Sequence, residues 1–170
     1  MKYLDIRDQI KSGDVLAWTH RKWGSWYDFQ VQMVRFGTQS EYCHVGVAYV
    51  VGGRVFVLES VGSGIRMFPL SLELPFYWMP TMLNWNETVL EAALSKMGQK
   101  YSKLDGIKSL WRKIKPGADD KWECAEYVRF ILQAAGIDIS CRNVPGEVVF
   151  WLQEKLSTPV YLVGAELSLS

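Results

Sequence analysis

Apolar and polar positions alternate along much of the first half of the chain and recur at helical spacing along the second. "DVLAW" (14–18) follows Gly13 and predicts a strand. In "CHVGVAYV" (43–50), Val45, Val47 and Tyr49 share one face, and His44, Gly46 and Ala48 share the other. Gly52-Gly53 predicts a tight hairpin into "RVFVLES" (54–60), because the favoured two-residue hairpin turns need positive φ at one or both positions. "GIRMFPL" and "LPFYWMP" predict further strands, and "PVYLV" (159–163) a late one. Between the first two strands, Phe29, Met33 and Phe36 predict a short helix over 27–37.

From residue 86 the pattern changes period. Leu90, Ala93, Leu94 and Met97 mark one face of a helix over 86–97, with Gly98 as its stop. Ser102 and Asp105 suit the start of a second helix carrying Ile107, Leu110, Trp111 and Ile114, ended by Pro116-Gly117. A third helix, capped by Asp119 or Asp120, runs to Gly136, with Cys124, Val128, Ile131 and Ala135 on one face. A fourth starts near Pro145 and carries Val148, Val149, Leu152 and Leu156. Strands first and helices later predict an α+β domain. No linker or repeat divides it, so residues 1–170 read as one domain.

Composition narrows the function. Nearly half of the 170 residues are apolar and the net charge is +1, which gives no global reason to expect nucleic acid as a partner. The opening residues hold no apolar run long enough for a signal peptide or a membrane span, so the expected location is the cytoplasm. Cys43, Cys124 and Cys141 form no C-x-x-C pair, and a disulfide framework is not expected. His20 and His44 are too few to anchor a zinc site, so neither metal nor cofactor is expected. The eight tryptophans read mostly as core, with some beside turn residues where they could line a cleft. Residues 100–115 carry six positive charges against Asp105 around an Ile/Leu/Trp stripe. That stretch suits an anionic membrane surface, or is a solvated face over a buried stripe.

Cys124 is the residue with most chemistry to offer. It falls in the first turn of its helix, where unpaired backbone N–H groups favour a thiolate and suit an oxyanion, and it is otherwise an inert core thiol. Glu123 and Glu126 are rotated away from it. A thiol nucleophile needs a base, and a base needs an orienting acceptor. His44 opens a strand beside the small residues Gly46 and Ala48. A hairpin turning at Gly52-Gly53 pairs residues whose numbers total about 105, which sets Glu59 opposite Gly46 and a diagonal from His44 on the same face. Glu59 can then orient the imidazole, or is a solvated strand-end carboxylate.

Taken together, "SGDVLAW", "YCHVGVAYV", "VFVLES", "GQKYSKLD", "ECAEYVRFILQAAGI" and "VPGEVV" resemble the permuted branch of the NlpC-type papain-like cysteine hydrolases over about residues 13–150. That superfamily includes bacterial cell-wall endopeptidases and relatives of lecithin retinol acyltransferase. In its ordinary members the cysteine helix precedes the histidine strand, and here the order is reversed, as in the permuted branch. The resemblance implies a circularly permuted papain-like fold, a small antiparallel β-barrel or sheet packed against a helix bundle. It implies Cys124 as nucleophile, His44 as base, Glu59 as the orienting member and Tyr101 as an aid at the oxyanion. It implies a hydrolase or acyltransferase acting on a peptide, peptidoglycan or lipid-like amide or ester. A different class stays open: a binding or virion-associated structural module that keeps the fold without turnover. The chain departs from the pattern at Ala125, where serine is usual, and at Cys43, where a small or polar residue is common.

Overall fold

The register of one antiparallel sheet organises the molecule. In a computed structural model that describes residues 1–19, 41–101 and 121–164, strands β1 (Val15–Trp18), β2 (His44–Val51), β3 (Arg54–Val61), β4 (Gly64–Pro69), β5 (Phe76–Met79) and β8 (Tyr161–Val163) lie in the order β4-β3-β2-β1-β5-β8. Every neighbouring pair is antiparallel. The hairpin at Gly52-Gly53 forms as expected, with φ of 58° and 71°, and pairs Val47 with Leu58. The late strand becomes an edge of the same sheet, beside β5.

Both faces of the sheet are covered. On one, Val15, Ala17, Val45, Val47 and Leu58 pack against helices α2 (Glu87–Leu94), α3 (Cys124–Ala134) and α4 (Pro145–Leu156). On the other, Leu16, Ala48, Val57 and Trp78 pack against Tyr3, Ile6 and Ile10 of an N-terminal segment that opens with the short helix α1 (Tyr3–Ile6). The hydrophobic pattern did not predict that segment as an element. Its backbone also reaches the far edge strand: Tyr3 N–H donates to the Gly164 carbonyl, and Gly164 N–H to the Met1 carbonyl.

Three expectations shift in detail. Helix α2 buries Val89 and Ala93, while Leu94 is 40% exposed, so its buried stripe lies one position from the one expected. Asn86 sets that phase, because its side chain accepts from Val89 N–H and fixes where the helix starts. Leu156, expected on the buried face of α4, is also largely exposed at the last helical residue. The cap of α3 is neither Asp119 nor Asp120, which lie outside the described residues. It is Glu123, in a reciprocal capping box with Glu126. The helix cannot begin sooner because Lys121–Trp122 is extended, forming strand β7, which pairs in parallel with Lys100–Tyr101 (β6). The helix stops at Ala134, just before Gly136 with φ of 85°.

Packing holds α3 in place. Val128, Ile131 and Leu132 are fully buried. Each contributes about 1.5–3 kcal/mol on burial, well above the few tenths that β-branched residues cost in a helix. Tyr127 O–H donates to the Ala93 carbonyl at 2.9 Å and locks α3 to α2. The expected helices over 27–37 and 102–115, and with them the basic stretch proposed for a membrane surface, fall on or run into residues outside the described ones. Among the described residues no helix is long and apolar enough to cross a membrane.

Candidate active site

Cys124 and His44 are each the first residue of their element, α3 and β2, and they meet where those two starts come together. Strand alternation keeps His44 on the face of Ala48, while Cys124 belongs to the helical side. The meeting depends on both residues being terminal. His44 is 2% exposed and Cys124 7% exposed, so neither is a solvated surface group.

Glu59 completes the group. Its Oε2 lies 2.6 Å from His44 Nε2, and its side chain has no exposed surface. The register read from the Gly52-Gly53 turn therefore places the carboxylate correctly, and the solvated alternative does not hold. Gly46 makes this possible. A Cβ there would lie 2.5 Å from Val57 Cγ2, 3.0 Å from the Leu58 carbonyl oxygen and 3.4 Å from Glu59 Cβ.

The imidazole has two opposing influences on its charge. Burial works against the charged ring. The Cys124 side chain, and after it the Glu59 carboxylate, outweigh that burial and push the His44 pKa up to about 9. Glu59 takes Nε2, and Nδ1 has no fully formed hydrogen bond to another described group. Nδ1 is thus the nitrogen left to serve the sulfur.

Several residues that periodicity did not single out build the surroundings. Arg66, opposite Glu59 on β4, donates from Nε at 2.8 Å and Nη2 at 2.6 Å to Glu59 Oε1. Its Nη2 also reaches Glu73 Oε1 at 3.1 Å. The signal was available: a turn over Gly62-Ser63 pairs 59 with 66, by the same rule applied to the preceding hairpin. Trp18 is the cross-strand partner of His44; its ring centroid lies 5.3 Å from the imidazole, and its Nε1–H donates to the Glu73 carbonyl at 2.7 Å. Ser60 Oγ donates to the Trp122 carbonyl at 2.7 Å, which ties β3 to the chain two residues before the cysteine.

The remaining candidates divide. Tyr101 lies on β6, its backbone paired with Trp122, but its side chain is outside the described residues. Cys43 is buried and donates its S–H to the Trp18 carbonyl at 3.2 Å, a structural contact. Burial pushes the Cys141 thiol up, against a smaller opposing pull from Arg129, which suits an unreactive group. Ala125 is fully buried, so a serine hydroxyl at that position would need an acceptor inside the core. Among the described residues no group of three or more His, Cys, Asp or Glu side chains is placed to hold a metal ion.

In sum, the class defined by fold and site is an α+β domain with a six-stranded antiparallel sheet and a buried cysteine, histidine and glutamate where the interior strands β2 and β3 meet a helix start. No family model matches the chain. No curated protein matches it either. Among solved structures it is similar to the metalloprotein yiiX from Escherichia coli O157:H7, a DUF1105 protein. The two share 17% identity and a TM-score of 0.57, over 93% of this chain and 98% of that one. At that identity the likeness is one of fold.

Proposed function

We propose that the chain is a cysteine hydrolase with a circularly permuted papain-like fold, cleaving an amide or ester through a thioester. The observation that supports this most is the buried relay itself: a cysteine at a capped helix start, a histidine beside it, and a fully buried glutamate 2.6 Å from the far ring nitrogen. Burying three ionisable groups together is costly unless each has a partner, and a thiol needs none of them for packing.

In this reading the thiol proton already rests on His44 Nδ1 when the Cys124 sulfur attacks the carbonyl carbon, and the C=O electron pair moves to oxygen. The capping box of Glu123 and Glu126 fixes the helix start, and in this reading the Cys124 N–H there meets the oxyanion. Collapse of the adduct breaks the bond to the leaving group, which takes the proton from Nδ1. Water then attacks the thioester, giving its proton to His44, and the acid and free thiol are released. Glu59 holds the ring through Nε2 throughout. The carbonyl belongs to a peptide or peptidoglycan amide, or to a lipid amide or ester.

Iodoacetamide labelling followed by mass mapping tests the assignment. Cys124 should react well before Cys43 and Cys141, and a His44→Ala variant should slow that reaction. Equal, slow labelling of all three thiols would instead favour a binding or virion-associated module that keeps the fold without turnover.

A further inference from the structure

The groups around the imidazole form a closed circuit. His44 Nε2 meets Glu59 Oε2 at 2.6 Å, and Glu59 Oε1 accepts from Arg66. Arg66 also bonds the Glu73 carboxylate, the Glu73 carbonyl accepts from Trp18, and the Trp18 ring packs on His44. Only one member of the Glu59–Arg66 pair reaches water: the Arg66 side chain is 33% exposed and that of Glu59 not at all. Solvent therefore cannot stabilise the carboxylate's charge directly. The fixed charges that face it among the described residues are His44, when protonated, and Arg66.

This matters because a buried imidazolium–carboxylate pair can cancel its own charge. The proton on Nε2 moves to Oε2, giving a neutral imidazole with its hydrogen on Nδ1 and a carboxylic acid beside it. No proton enters or leaves the pair. The product is the wrong tautomer for catalysis, since Nδ1–H can no longer accept a proton from the thiol or from water. A guanidinium is charged at every working pH and favours the ionised carboxylate.

We propose that Arg66 is a positioning residue that keeps Glu59 ionised and thereby holds the hydrogen of the neutral His44 ring on Nε2, with Nδ1 turned to Cys124. This rests on the hydrolase reading for its purpose, though not for its measurement. Among the described residues, the titratable or charged groups facing the circuit from the packed elements are Cys124 on α3, Glu59 on β3, Arg66 on β4 and Glu73 after it.

Two-bond ¹H–¹⁵N spectra of the histidine rings test it, with His20→Gln used to assign His44. In the wild type at neutral pH both ring nitrogens should carry protons, and on titration above about pH 9 the proton lost should be that of Nδ1. In Arg66→Met at neutral pH, the ring should read as neutral with hydrogen on Nδ1, and Arg66→Lys should restore the doubly protonated ring. Cys124 alkylation at neutral pH should fall about tenfold or more in Arg66→Met, as expected for a change of one pKa unit or above. A doubly protonated ring in Arg66→Met, or loss of the Nε2 proton first in the wild type, would overturn the proposal. If Arg66→Met does not fold, Arg66→Gln makes the same comparison, and the wild-type titration decides independently. Failure of the hydrolase reading looks different: Cys124 labelling that does not depend on His44, whatever the tautomer.

Discussion

His44 Nε2 and Glu59 Oε2 lie 2.6 Å apart with both side chains out of water, so the charge of one is set by the other. The folded pKa of His44, about 9, stands above its ordinary 6.5, which means that folding favours the protonated ring. The stability this contributes is complete below about pH 6.5, shrinks as pH rises, and is lost once pH passes about 9. Urea midpoints measured across that window should fall with rising pH. A Cys124→Ala variant should flatten the fall, because the sulfur is the larger of the two influences that raise the pKa. A midpoint that rises over the same window would contradict the assignment.

Cys124→Ala should abolish turnover of any confirmed substrate, by about a thousandfold or more, since nucleophile losses in such sites are of that order. Above about pH 9, where the sulfur's hold on the His44 proton no longer contributes, the variant's cost in stability should be only about 1 kcal/mol, the scale of one buried heavy atom. Circular dichroism and denaturant midpoints separate the two effects. Full activity in this variant would exclude Cys124 as nucleophile.

Glu59→Ala should be far more damaging to the fold than its size suggests. It strips a partner from both His44 and Arg66, and breaking a buried pair from one side costs about 3–5 kcal/mol. Equilibrium unfolding should show this, together with a lowered His44 titration midpoint. A variant as stable as the wild type would mean that the carboxylate is not holding these groups.

Gly46→Ala probes how the carboxylate finds room. The added Cβ would overlap Val57 Cγ2 and press on the Leu58 carbonyl, so the β2–β3 ladder must open locally. The expected loss is about 1–3 kcal/mol, as for an overpacked core. The same variant should slow Cys124 alkylation, because Glu59 moves with the strand. Unchanged stability and unchanged alkylation would show that the ladder absorbs a methyl group without strain.

Ser60→Ala tests the tie between the sheet and the helix start. Its hydroxyl is buried and donates to the Trp122 carbonyl, which would be left without this donor at a cost of about 1–3 kcal/mol. Slower Cys124 alkylation in a folded Ser60→Ala protein is the expected result; an unaltered rate would confine Ser60 to stability.

How much of this was legible beforehand depends on the range of the interactions. The hairpin glycines and strand alternation fix a local register, and register alone brings Glu59 to His44. The Cys124 stripe is likewise local, at helical spacing. The start of α3 was not legible from Asp119 and Asp120, because a tertiary pairing between β6 and β7 decides it. Arg66 was within reach of the same register argument carried one turn further. Trp18 was not, since its place beside the imidazole requires knowing that β1 joins β2.

The hydrogen bonds between Met1 and Leu162–Gly164 set two distant parts of the chain side by side. A short linker across that junction, with new ends opened between residues 101 and 121, would yield a polypeptide in which the cysteine helix is made before the histidine strand. Each contact described between His44, Glu59, Arg66 and Cys124 would survive the rewiring. The order of the cysteine helix and the histidine strand along a gene is then a property of where a ribosome begins, and the contacts between them are indifferent to it.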